Sequence, residues 1–237
     1  MSDLLEVKNL KKYYGDSGVA ALNGLSINFE RGKVIGVLGP NGAGKSTLFK
    51  CINKLISYDD GEIKFLEITD KQVGFLPEGM MAYEFLTGRD LIFLITKMRE
   101  MDPKQVELKM KEMDAVLDFP PLNQLVSTYS KGNKEKLLIF LTFMHEPEIV
   151  FMDEPFTGLD PVVILKVKRY IREYAAKGHT VVLSTHYLEM ASQLCDEVAI
   201  IYQGVVKKRC SMENSMTDGA RFSYLEKIYM EELGENA

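Results

Sequence analysis

The sequence predicts an α/β fold: a mostly parallel sheet covered by helices on both faces, with a helical lobe inserted into it. Three observations predict this. Short apolar runs alternate with segments of helical periodicity, as in strands joined by crossover helices. One run, residues 33–38, leads straight into a glycine-rich segment and then a helix, the order a phosphate loop requires. Between residues 83 and 125 the alternation stops and the spacing is helical throughout.

Residues 4–14 and 22–30 alternate apolar and polar side chains and read as strands. Glu30-Arg31-Gly32 turns the chain into 33–38, an apolar run typical of a strand buried on both faces. Leu48, Ile52, Leu55 and Ile56 then recur at helical spacing. Residues 61–66 and 73–76 are further short strands. In the inserted segment Leu91, Phe93, Leu94, Met98, Val106, Met110, Met113 and Leu117 mark helices broken near Asp102-Pro103 and Pro120-Pro121. The alternation resumes with a buried strand at 149–152. Val163, Val167, Tyr170, Ile171 and Tyr174 follow as a helix that Gly178 ends. A strand at 180–184 comes next, then a hairpin of 198–202 and 205–208 about Gln203-Gly204. Phe222, Leu225, Tyr229 and Leu233 form a last amphipathic helix.

Length and composition narrow the function. A chain of 237 residues, 46% hydrophobic and 27% charged, suits one large domain or one domain with an inserted lobe. A net charge of −5 weighs against a nucleic-acid binder. The longest strongly apolar stretch, residues 137–144, is far shorter than the ~20 residues that span a bilayer. Acidic residues occupy the start, where a secretory signal needs basic ones, so a cytosolic placing is expected. Cys51, Cys195 and Cys210 lack metal-ligand spacing and read as buried or idle thiols in a reducing compartment.

Two segments carry phosphate chemistry. Gly39-Pro40-Asn41-Gly42-Ala43-Gly44-Lys45-Ser46-Thr47 fits G-x-x-x-x-G-K-S. Its glycines let backbone amides approach phosphate oxygens, and the helix that follows adds its positive end. Lys45 is placed to reach the β- and γ-phosphates and the Ser46 hydroxyl to ligate Mg²⁺. Ile149-Val150-Phe151-Met152-Asp153-Glu154 is an apolar strand ending in two carboxylates. Asp153 is placed to hold Mg²⁺, directly or through water, and Glu154 to polarise an attacking water. An Asp-Glu pair leaving a strand is common alone; the phosphate loop gives it meaning.

With these motifs the chain resembles, along nearly its whole length, the nucleotide-binding domain of ATP-binding cassette (ABC) transporters. The family's signature, usually L-S-G-G-Q, stands here as Tyr129-Ser130-Lys131-Gly132-Asn133, a variant similar to exporters whose ATPase is a separate chain. Ser130 sits where it caps a helix, with Asn133 three residues on. The resemblance implies that Ser130 and Gly132 face the phosphate of an ATP held by the opposite subunit. It also implies that Tyr14 stacks on adenine (Tyr13 rivals it), that His186 contacts the γ-phosphate, and that Asp160 lies in a loop crossing the dimer seam. Glu78 stands where the family usually has Gln, a residue that senses Mg²⁺ and the attacking water. Met80, Met81, Tyr83 and Phe85 follow it, either as part of the groove that receives a helix of a transmembrane subunit or as ordinary lobe packing.

The implied fold is a P-loop NTPase core with a mostly parallel sheet, an N-terminal antiparallel β subdomain and an inserted α-helical lobe. The whole of 1–237 is one ABC ATPase domain. Residues 1–82 and 126–237 form the β subdomain and core, 83–125 the lobe, and 211–237 a helical tail. The implied function is an ATPase that uses ATP and Mg²⁺, dimerises as a homodimer or heterodimer, and drives a separate transmembrane permease subunit. It would sit peripherally on the cytoplasmic face of the membrane, without a nucleic-acid partner. A non-transport ABC protein acting on a cytosolic complex is the alternative; such chains usually carry two cassettes or added recognition domains. A P-loop kinase leaves Tyr129–Asn133 and His186 unexplained.

Overall fold

The structure is a computed structural model that describes residues 2–15, 18–79, 83–213 and 215–234. A three-stranded antiparallel sheet forms from β1 (Asp3–Tyr13), β2 (Ala20–Glu30) and β4 (Asp60–Phe65), in the order β2-β1-β4. The larger sheet has six strands: β3 (Val34–Leu38), β5 (Val73–Leu76), β6 (Ile149–Asp153), β7 (Thr180–Thr185), β8 (Glu197–Tyr202) and β9 (Val205–Ser211). Their order is β5-β6-β7-β3-β8-β9, and only β9 runs antiparallel. Helices α1 (Lys45–Ile52), α2 (Gly88–Met98), α3 (Pro103–Leu117), α4 (Lys131–Phe143), α5 (Pro161–Ala176), α6 (Leu188–Leu194) and α7 (Asp218–Leu233) complete the fold. This is the α/β class expected, with its mostly parallel sheet, antiparallel sheet and helices.

Central strands buried on both faces must be apolar throughout, and β3 and β6 are buried at every position. Their side chains still alternate in direction, and this divides the core in two. Val34, Leu38, Val150, Met152, Val181 and Leu183 join a cluster on one face with α4, α5 and the inserted helices. Ile35, Val37, Ile149, Phe151 and Val182 join a second cluster with α1 and the antiparallel sheet. Phe151 anchors the second, edge-on to Phe29 at 5.3 Å and tilted against Phe49 at 5.2 Å. The inserted helices are therefore continuous with the first cluster through Leu91, Val106 and Met113.

Local signals set most boundaries. Thr87 and Asp90 form a capping box that starts α2. Asp102 caps α3, whose first residue is Pro103, and Asp118 in the left-handed region ends it. Gln203 and Gly204 both have positive φ, as the tight turn between β8 and β9 requires. Two expectations need correcting. The helical spacing ran to Ile56, but α1 stops at Ile52: Lys54 has φ +57° and Leu55 is exposed. The short helix α6 carried no signal that the periodicity picked out. The three cysteines are buried free thiols, as their scattering implied. No described helix is long and apolar enough to cross a membrane.

Candidate functional site

The phosphate loop leaves β3 at Leu38 and enters α1 at Lys45. Two of its glycines are obligatory for close approach. A Cβ on Gly39 would lie 2.2 Å from the Ile201 carbonyl oxygen, and one on Gly44 would lie 2.5 Å from that of Ala21 at φ +107°. Gly44 supplies no side-chain cap, so the first N–H groups of α1 stay available at the helix's positive end. Lys45 is buried, and its ammonium donates to the carbonyls of Gly39 (2.7 Å) and Pro40 (3.1 Å). Desolvation pulls its pKa below the usual lysine value, while the charges of Glu154, Asp153 and Glu78 oppose that shift.

Strand register builds the other wall. β7 lies between β6 and β3, with Ser184 paired to both Asp153 and Val37. The ends of the three strands therefore meet at one place. Asp153 is 2% exposed and its Oδ1 accepts a 2.5 Å hydrogen bond from the Ser184 hydroxyl. Glu154 has φ +50°, a left-handed conformation that costs a non-glycine residue about 1–3 kcal/mol and is maintained only by surrounding contacts. Its N–H donates to Ser184 Oγ at 3.1 Å, and its Oε1 lies 2.8 Å from His186 Nδ1. The His186 ring packs on Tyr187, centroids 3.9 Å apart.

These walls enclose a cleft of about 590 Å³. It gathers Tyr14, Asn41, Gly42, Gly44, Lys45, Ser46, Thr47, Glu78, Asp153, Glu154 and His186; Gly39, Pro40 and Ala43 belong to the same loop but do not line it. Tyr14 lines it and Tyr13 does not; the Tyr14 hydroxyl lies 3.5 Å from Thr47 Oγ1. Clefts of about 730 and 760 Å³ open beside the inserted helices, but neither combines a phosphate loop with a carboxylate pair. Chemistry, not size, singles out the smaller one.

Ser130, Gly132 and Asp160 are not brought to this cleft. Ser130 Oγ caps α4 by accepting from the Asn133 N–H at 3.2 Å, as the spacing suggested. Asp160 caps α5 by accepting from the Val163 N–H at 3.0 Å, and that bond lowers its pKa. Gly132 faces the backbone of Gly158: a Cβ there would lie 2.6 Å from the Gly158 oxygen. Met80 and Met81 lie outside the described residues.

No three His, Cys, Asp or Glu side chains among the described residues gather into a self-sufficient metal site. Ser46, Asp153 and Glu78 are oxygen donors on one cleft, and this set fits a Mg²⁺ ion that takes its other ligands from phosphate and water. Sequence reasoning missed the role of Ser184 and the presence of Thr157 in the cleft lining. Ser184 did leave a trace, a hydroxyl at the end of an otherwise apolar strand that must find a partner once buried.

A profile described as "ABC transporter" matches residues 22–157. The chain is 31% identical over 213 residues to the linearmycin resistance ATP-binding protein of Bacillus subtilis, covering 85% of this chain and 67% of that one. It is 30% identical over 209 residues to a lantibiotic transport ATP-binding protein of Streptococcus pyogenes, covering 86% and 89%. A solved ATP-binding subunit of an ABC transporter superposes with a TM-score of 0.83 at 28% identity, covering 94% of this chain and 99% of that one. Loop, carboxylate pair and histidine converge on one cleft in a chain with these relatives, and we conclude that it belongs to the ABC transporter family as an ATP-binding subunit.

Proposed function

We propose that the chain hydrolyses ATP with Mg²⁺ at this cleft, closes around ATP as a dimer, and uses the cycle to move a separate transmembrane subunit of an exporter. One observation carries the reading: a single cleft holds the buried lysine of the phosphate loop, the Asp153–Glu154 pair and His186. Bound Mg²⁺ would neutralise charge on the phosphate oxygens. Lys45 adds a cation whose solvation has already been stripped away. Glu154 orients and polarises the attacking water, and His186 fixes the Glu154 carboxylate and reaches the terminal phosphate. Positioning and electrostatics suffice, because phosphoryl transfer asks little covalent help. Tyr14 stacks on adenine.

The location of Ser130, Gly132 and Asp160 away from the cleft supports a site completed by a second subunit, homomeric or heteromeric. Residues 83–125 act as the lobe that presents the signature. Tyr83 and Phe85 are exposed, Phe85 at 93%, which favours a docking role over packing within the lobe. Resistance and lantibiotic transport in the names of the relatives support export. The chain then works at the cytoplasmic face, held there by its partner.

The test is Glu154→Gln. Turnover is expected to fall at least a hundredfold, about 2.7 kcal/mol of transition-state stabilisation, while ATP binding survives. Hydrolysis at the native rate would remove Glu154 from the mechanism. Purification of the native chain from detergent-solubilised membranes should recover a polytopic membrane protein in near-equal amount; ribosomal proteins or nucleic acid instead would overturn the transport reading.

A further inference from the structure

Ser184 is hydrogen-bonded through its hydroxyl to both members of the carboxylate pair. It is fully buried at the end of β7, directly opposite Asp153 in the parallel register. Its hydroxyl donates to Asp153 Oδ1 and accepts from the Glu154 N–H. A hydroxyl can do both at once because it carries one donor and two acceptor sites. No apolar residue of similar size can do either.

The two bonds have separate consequences. The bond to Oδ1 occupies one of that oxygen's acceptor sites, which biases a metal towards the other Asp153 oxygen, and it restrains the carboxylate's rotation. The bond from the Glu154 N–H holds the backbone at a residue whose φ of +50° is otherwise disfavoured. The carboxylate of Glu154 is gripped separately by His186, two residues beyond Ser184 on the same chain segment. Glu154 is thus held at its backbone and at its tip by one short stretch, Ser184-Thr185-His186. Thr185 in turn accepts a hydrogen bond from the Gly39 N–H at the start of the phosphate loop (3.4 Å).

We propose that Ser184 is a positioning residue that sets the metal-facing oxygen of Asp153 and the backbone of Glu154 together, so that metal binding and water activation share one support. The inference rests on the ATPase reading above. Without the hydroxyl, Asp153 is free to rotate and Glu154 to leave its left-handed conformation. Both losses act on the chemical step and on metal affinity, with nucleotide binding by the phosphate loop left intact.

The experiment compares native protein, Ser184→Ala, Ser184→Cys and Ser184→Thr in steady-state ATPase assays across a Mg²⁺ titration, with ATP affinity and melting temperature measured alongside. Cysteine is nearly isosteric but a weak hydrogen-bonding group, so it replaces alanine should that variant fail to fold. The expected result has four parts. kcat falls at least tenfold in the Ala or Cys variant. The Mg²⁺ concentration for half-maximal activity rises several-fold. ATP affinity stays within about threefold, and Thr recovers most of the lost turnover. Turnover within twofold of native at an unchanged Mg²⁺ requirement overturns the inference. So does a parallel loss of ATP binding, turnover and melting temperature in all three variants, which marks a merely structural residue. Failure of the underlying reading looks different: native protein itself shows no turnover, or Glu154→Gln matches it.

Discussion

Glu78 and Glu135 put residue-scale chemistry to the sharpest test. Glu78 lines the cleft as a third carboxylate beside Asp153 and Glu154, where Gln is usual in the family. An amide presents an oxygen of similar reach without the charge, so Glu78→Gln is expected to retain most ATPase activity. A hundredfold drop at saturating Mg-ATP would show that the carboxylate itself is required. Glu135, on α4, lines a smaller cavity of about 280 Å³ that shares Glu78, Asp153 and Glu154 with the main cleft. Burial pushes its pKa up to about 8; Lys131 opposes the shift and Glu78 adds to it. Between about pH 4.5 and 8 the folded chain therefore holds a proton that the unfolded chain has released, and stability falls as pH rises through that window. Glu135→Gln should raise the melting temperature at pH 8 by about 3 °C or more, the shift that roughly 1 kcal/mol produces in a chain of this size. At pH 5 it should change little. An equal shift at both pH values would contradict a half-buried, protonated Glu135.

Helix starts show how element geometry serves the site. Ser130 caps α4 and Asp160 caps α5, and the loop between β6 and α5 approaches the α4 start through Gly158. Gly132 is needed there because its neighbour is a backbone oxygen that cannot move like a flexible side chain. The Lys131 stem lies over Gly158, within 3.1 Å of where a Cβ on that glycine would sit. Gly132→Ala should push the first turn of α4 away from Gly158, lowering stability by about 1–3 kcal/mol as overpacking does. The measurement is urea denaturation; an unchanged midpoint would mean that the loop yields freely.

The same residues show what was legible in sequence. Lys45, Ser46, Asp153 and Glu154 stand in contiguous motifs whose chemistry is local. The cap at Ser130 sits immediately before its helix, whereas the capping role of Asp160 emerged only with the structure. The partner of Gly132 is a loop 26 positions away, and the Asp153–Ser184 pairing follows from strand order, so neither is written in local pattern. α6 escaped notice because seven residues give too short a window for periodicity. α1 was drawn too long because apolar Leu55 and Ile56 kept the spacing after Lys54 had already left helical conformation.

At the scale of the whole molecule, the function proposed above makes this chain the holder of a half-site. The cleft contains the phosphate loop, the carboxylate pair and His186, while Ser130 and Gly132, at the capped start of α4, are not among its lining residues. A second copy turned head to tail would bring its signature segment to this cleft and complete both sites at once. The most direct measurement is the mass of Glu154→Gln protein by size-exclusion chromatography with light scattering, with and without Mg-ATP. The expected mass is 26.9 kDa without nucleotide and twice that with it. Protein that binds Mg-ATP by calorimetry yet remains at the monomer mass would contradict a site shared between two copies of this chain.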